Sequence, residues 1–142
     1  MVAFPNQKEV LSEVGEVITF YGRIPMAEIQ DELNKSDFSI LLREVTRGTT
    51  AGFPTKVVES MSCGTPMITT RTSDLSNYIE TGKNGFFVEI EDMDKLVMEL
   101  ISIITMKSDE IQIVKDSCYT SEEFLPKSFK NHMKDIMDAL SC

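Results

Sequence analysis

Apolar and polar positions along the chain switch between a strand period and a helix period. Val17-Ile18-Thr19-Phe20-Tyr21 is β-branched and aromatic and stops at Gly22, which predicts a strand. Pro25 to Leu33 has the spacing of a short amphipathic helix. Asp37 to Leu42, with Phe38-Ser39-Ile40-Leu41-Leu42, predicts a second, buried strand. Arg43 to Phe53 is polar and reads as a loop. Pro54 or Thr55 then opens a helix to about Ser62, proline suiting a first helical position and threonine an N-cap. Gly64 and Pro66 stop that helix. Met67 to Thr70 predicts a third strand, Ser73 to Glu80 one or two helical turns capped by Ser73, and Phe86 to Ile90 a fourth strand. Asp92 caps a helix to about Met106. Further helical patterns run near Asp109 to Lys115 and from about Pro126 to Leu140, the last carrying Phe129, Met133, Ile136 and Met137.

Strands separated by helices, without hairpin signals, predict parallel βαβ units. The expected fold is α/β: a Rossmann-like three-layer α/β/α arrangement around a small parallel sheet of about four strands. Gln7 to Val14 resembles the tail of a helix, whereas a doubly wound domain opens on a strand and a glycine-rich turn. Residues 1–142 are therefore expected to form one domain, incomplete at its N-terminal side.

Composition narrows the function classes. The chain is 42% hydrophobic and 26% charged, ordinary for a folded domain. Its net charge of −9 disfavours nucleic acid, where phosphate neutralisation drives binding. Leu96 to Met106 is too short to span a bilayer, and the N-terminus lacks a secretory pattern. Cys63, Cys118 and Cys142 are an odd set without metal spacing, which fits a reducing compartment. No Walker A pattern or G-x-G-x-x-G occurs. His132 sits among lysines on the last predicted helix and reads as a surface residue; no metal site is expected.

The basic residues are not spread evenly. All four arginines, Arg23, Arg43, Arg47 and Arg71, fall in the first half. Three of them follow predicted strands, at the carboxyl ends where open parallel sheets bind ligands. Arginine suits bidentate capture of phosphate or carboxylate, so this rim predicts an anion site.

Ala51-Gly52-Phe53-Pro54-Thr55-Lys56-Val57-Val58-Glu59 is the most informative stretch. Gly52 allows close approach of backbone to a ligand, and Pro54 holds Phe53 extended. Thr55 and the first-turn amides are placed for an anion, with Lys56 adding charge. Glu59 lies one turn beyond Thr55 on the same side, opposite Val57, Val58 and Met61, and a carboxylate there suits two neighbouring hydroxyls, as on a ribose.

Gly52-Phe53-Pro54-Thr55-Lys56-Val57-Val58-Glu59-Ser60-Met61, continuing to Gly64-Thr65-Pro66-Met67-Ile68, resembles the signature of group 1 (family 4) glycosyltransferases. Val17 to Gly22 resembles the strand and glycine ahead of their base-binding loop, and Asn84-Gly85-Phe86 with Val88 resembles their "nGf.v" segment. The terminal helix resembles the one that crosses toward the first domain. The resemblance implies a GT-B fold, two Rossmann-like domains facing a cleft, with this chain as a truncated carboxy-terminal, donor-binding half.

By resemblance, Glu59 is the second glutamate of the E-x7-E motif and binds the ribose hydroxyls. The backbone from Gly52 through Phe53, Pro54, Thr55 and Lys56 to Val57 faces donor sugar and diphosphate, and Gly22, Arg23 and Ile24 lie near the base. Arg43 and Lys56 are added from charge and position. Catalytic residues are not assigned. The first motif glutamate would stand at 51, where this sequence has Ala51. In the family it contacts the transferred sugar; a subset patterned R…AGFPTK..ES, which this chain resembles, offers Arg43 or Lys56 to fill the gap.

The implied parent transfers a hexosyl-type sugar from a nucleotide-sugar to a glycan or lipid-linked acceptor, as in capsule or lipopolysaccharide synthesis. It needs no cofactor beyond that substrate and is cytoplasmic, at most peripheral to the inner membrane face. The fragment alone is expected to be inactive. Alternatives are a non-catalytic nucleotide-sugar-binding module, marked by Ala51, and a GT-B-fold nucleotide-sugar epimerase.

Overall fold

The computed structural model describes residues 18–120. Three short strands form a parallel sheet: β1 (Ser39–Leu41), β2 (Met67–Thr69) and β3 (Gly85–Phe87), side by side in that order. Ser39 pairs with Met67 and Met67 with Gly85, so residues of one register row share a face. Among the described residues the helices are α1 (Met26–Lys35), α2 (Arg47–Ala51), α3 (Thr55–Ser62), α4 (Met93–Ile104) and α5 (Ser108–Thr120), with a 3-10 turn at Leu75–Asn77.

Alternation along the strands creates two apolar layers. On one face, Val57 and Met61 of α3 pack with Met67, Leu75, Ile79 and Cys118. On the other, Leu96 and Ile103 of α4 pack with Ile68, Phe86, Val88 and Val114. Helix α5 thus contributes Val114 to one layer and Cys118 to the other. It crosses the amino ends of the strands, its Lys115 Nζ donating to the Ser36 carbonyl at 2.7 Å.

Several expectations are corrected. Three strands, not four, stand among the described residues. Ile18 to Tyr21 is irregular and exposed, and Val17 lies outside the described range. A strand persists through a ladder and a buried face; here the Tyr21 hydroxyl instead donates to Glu32 at 2.7 Å. The polar loop contains α2, which Thr46 starts with a capping box: its Oγ1 accepts from Thr49 N–H while Thr49 Oγ1 accepts from Thr46 N–H. Pro54 is the N-cap of α3 and Thr55 its first residue, without a side-chain cap. Ser73 does not cap either; it takes a left-handed φ of 54° and bonds Asp74. Val58 turns away from the core, since Val57, Ser60 and Met61 form the buried stripe. Asp92 does cap α4, accepting from Lys95 N–H at 3.1 Å. The patterns at Gln7 to Val14 and Pro126 to Leu140, with His132 and Cys142, lie outside the described residues.

The link from α3 to β2 depends on Gly64. Its φ is +70°, its N–H donates to Met61 O, and Thr65 N–H donates to Ser60 O, each at 3.0 Å: a Schellman closure. A Cβ here would also stand 3.1 Å from Tyr119 Cβ. Gly64→Ala is expected to destabilise by about 1–2 kcal/mol from the left-handed conformation alone, and by more once α5 shifts. Gly82, at φ +80° with open space around it, is the control. Urea unfolding of both alanine variants checks this; equal losses would mean that Tyr119 yields freely.

Candidate functional site

The carboxyl ends of β1 and β2 carry the first part of the site. Beyond β1, Arg43 N–H donates to Thr70 Oγ1 at 3.1 Å, and Thr70 Oγ1 donates to the Arg43 carbonyl at 2.7 Å. The buried Thr70 side chain thereby continues the pairing of the two strands by one residue. It fixes the backbone of Arg43 so that its guanidinium faces the rim, with Nη1 3.5 Å from the Gly52 carbonyl. Gly52 ends α2, and Phe53 and Pro54 lead into α3. Phe53 folds inward against the α3 layer and meets Tyr78 edge to face, centroids 5.3 Å apart.

Thr55 and Lys56 are exposed in the first turn of α3, where amides have no intrahelical partner. Val57 differs from the expectation: its side chain is fully buried and its N–H donates to Pro54 O at 3.0 Å. A tight first turn occupies that amide, and the buried Val57 side chain supports the rim from behind.

Glu59, half-buried on α3, faces a groove of about 430 Å³ between α1 and α3. Met26, Ile29, Leu33 and Val58 give it apolar walls; Gln30, Asn34 and Cys63 add polar groups. Thr65 Oγ1, donating to the Leu33 carbonyl at 2.6 Å, ties α1 to the turn before β2 and holds the groove's wall in place. The Cys63 thiol is pushed up by burial and, secondarily, by the Glu59 charge. Cys118, inside the core, is pushed up to about 12 by burial.

The remaining predicted residues are not gathered here. Gly22 has φ +66° and, like Arg23, is exposed; Ile24 lines a separate shallow hollow with Tyr21, Glu28 and Glu32. In that hollow, bonds from Lys35 and Tyr21 hold the Glu32 carboxyl below its ordinary value. The three strand-end arginines do not converge. Arg71 lies over the Phe87 ring, 4.2 Å from its centroid, and donates to Ser76 Oγ at 3.3 Å. It borders a second hollow of about 150 Å³ with Val45, Thr70, Glu89 and Glu91. Lys95 bonds Glu89 and, with a smaller contribution from Arg71, keeps that carboxyl below its ordinary value. The strand-end rule located the rim but not the direction of each side chain. Sequence reasoning missed Cys63, Gln30 and Asn34 as groove residues; the α1 amides, spaced by four, carried the only signal.

Among the described residues, no group of three or more His, Cys, Asp or Glu could hold a metal ion, and no helix is long and apolar enough to cross a membrane.

The family model of glycosyl transferases group 1 matches residues 10–117. The chain is 27% identical over 103 residues to WcaL of Salmonella typhimurium and 28% over 101 residues to WcaL of Escherichia coli K12, both named as colanic acid biosynthesis glycosyltransferases. These matches cover 72% and 70% of this chain but 25% of each relative. Among solved structures, Anabaena HepE in complex with UDP and glucose superimposes with a TM-score of 0.64 at 15% identity, over 93% of this chain and 35% of HepE. HepE with UDP-glucose gives 0.63 at 16% identity, over 96% and 38%. The chain thus spans about a quarter of the length of the curated relatives and just over a third of the solved chains. With the family model covering most of its length and the fold shared with these solved structures, the chain belongs to the group 1 glycosyl transferases, with the GT-B type of fold.

Proposed function

We propose that residues 1–142 are the donor-binding part of a glycosyltransferase that moves a hexosyl-type sugar from a nucleotide-sugar to a glycan or lipid-linked acceptor in polysaccharide synthesis. The observation that carries this reading is Glu59: a half-buried carboxylate facing a groove, one turn from a helix start that Thr55 and Lys56 open toward solvent. Glu59 accepts bonds from the ribose hydroxyls. The amides of Thr55 and Lys56, the Lys56 ammonium and Arg43 face the diphosphate and stabilise the charge that grows on it as the sugar leaves. Gly52, Phe53 and Pro54 shape the backbone that the sugar approaches, and Gly22, Arg23 and Ile24 lie toward the base. UDP and UDP-glucose in the HepE structures support a nucleotide-sugar in this role, as do relatives named for colanic acid biosynthesis.

The acceptor belongs to a domain beyond this sequence, consistent with the quarter-length match. The site of action is cytoplasmic, at most peripheral to the membrane in the full-length parent. The 142-residue chain is expected to bind one of UDP, GDP or ADP in calorimetric titration and to release no sugar from the matching nucleotide-sugar. Sugar transfer by this chain alone, or silence toward all three nucleotides, would refute the reading.

Ala51 favours a second reading. It is the exposed last residue of α2, a methyl group where the family pattern has a sugar-binding glutamate. A parent that binds nucleotide-sugar yet transfers nothing, with or without Ala51→Glu, would support a binding module.

A further inference from the structure

From the packing behind the rim, we infer that Tyr78 is a positioning residue of the donor site, holding the Gly52–Pro54 turn in place through the ring of Phe53. This rests on the donor-site reading of that turn. Phe53 is the one large side chain of the turn, and it points inward, so the turn's place depends on what that ring leans against. Tyr78 meets it edge to face, centroids 5.3 Å apart and planes at 80°. This is a preferred aromatic geometry that resists sliding.

Tyr78 is itself fixed. Asn84, only 7% exposed, donates from Nδ2 to the Tyr78 carbonyl at 2.9 Å and accepts from Glu80 N–H at 2.8 Å through Oδ1. One amide side chain therefore ties both ends of the 78–80 segment. Ile79 between them is buried in the α3 layer. Gly85, next in sequence, lies so close to the Met67 carbonyl and to Ile79 that a Cβ would come within 2.9 Å of each. Tyr78 is thus mounted on β2 and β3, and it transmits their position to a turn that has no sheet pairing of its own. The edge-to-face contact is made by the aromatic ring.

The test uses the 142-residue chain with Tyr78 changed to Ala, Leu and Phe. Amide hydrogen exchange is followed by mass spectrometry, and binding of UDP, GDP and ADP by calorimetry. Tyr78→Ala and Tyr78→Leu are expected to raise exchange across residues 48–56 while leaving α4 peptides at the wild-type rate. Both should weaken the nucleotide that wild type binds by about 3- to 10-fold. Leucine keeps apolar volume and guards against a simple folding failure; Tyr78→Phe should match wild type in both measurements. Unchanged exchange at 48–56 in the Leu variant overturns the inference, as does faster exchange spread evenly over the chain, or loosening without loss of affinity. A wild-type chain that binds none of the three nucleotides overturns the donor reading instead, and exchange alone then decides the positioning.

Discussion

Glu59→Ala is expected to weaken nucleoside diphosphate binding by roughly 10- to 100-fold, the equivalent of hydrogen bonds to a charged group worth about 1.5–3 kcal/mol. The reason is local. In the proposed donor site, the carboxylate facing the α1–α3 groove accepts from both ribose hydroxyls, and alanine would leave them to solvent. The fold should not suffer, because Glu59 belongs to neither apolar layer; a change of less than about 0.5 kcal/mol is expected. A second readout needs no nucleotide. The Glu59 charge helps to hold the Cys63 thiol above its ordinary value. A nearby anion disfavours the thiolate, so removing it lowers that value and raises the thiolate fraction at a given pH. Alkylation of Cys63 at fixed pH should therefore accelerate in the variant. Unaltered nucleotide affinity would end the ribose assignment, whereas unaltered alkylation would mean that the Glu59 carboxylate is not directed at the Cys63 side of the groove.

Ile68→Ala is expected to remove about 2–5 kcal/mol of stability, a large part of the roughly 5–15 kcal/mol that holds a domain together. Ile68 is fully buried at the middle of the central strand, between its register neighbour Phe86 and the α4 residues Leu96 and Ile103. Ile40 is the informative comparison. It is the register partner of Ile68 on the other side, points to the same face, and yet is 53% exposed. Ile40→Ala should therefore change stability by well under half as much. Urea unfolding of the two variants separates them, and equal losses would mean that α4 does not seal the layer where it stands.

The same pair shows what the sequence could and could not convey. Phe38 to Leu42 is apolar but for Ser39, and that predicts a buried strand; it cannot state that β1 stands at an edge of the sheet among the described residues. Residues 18–21 carry a strand's composition but no ladder, and composition cannot supply the missing partner. Helix boundaries were legible where a side chain or a glycine fixes them, as at Asp92 and Gly64. The start was misjudged at Ser73, which makes no cap and leaves the turn to begin at Leu75; at Pro54 and Thr55 the helix opens where expected, though without a side-chain cap. In the site, helical period placed Glu59 on the polar side opposite Val57 and Met61, where it lines the α1–α3 groove; its ribose role was implied by the family resemblance and not by the period. That the three strand-end arginines would not converge was not legible, because a rim position leaves a long side chain free to choose between solvent, Phe87 and the Gly52 carbonyl.

The two-sided placement of α5 has a consequence for synthesis. Val114 and Cys118 arrive within one turn of each other, near the end of the described chain, and each completes a different apolar layer. As the polypeptide leaves the ribosome, both faces of the sheet stay unsealed until that turn emerges. Among the described residues, then, two greasy surfaces wait on one and the same turn of α5.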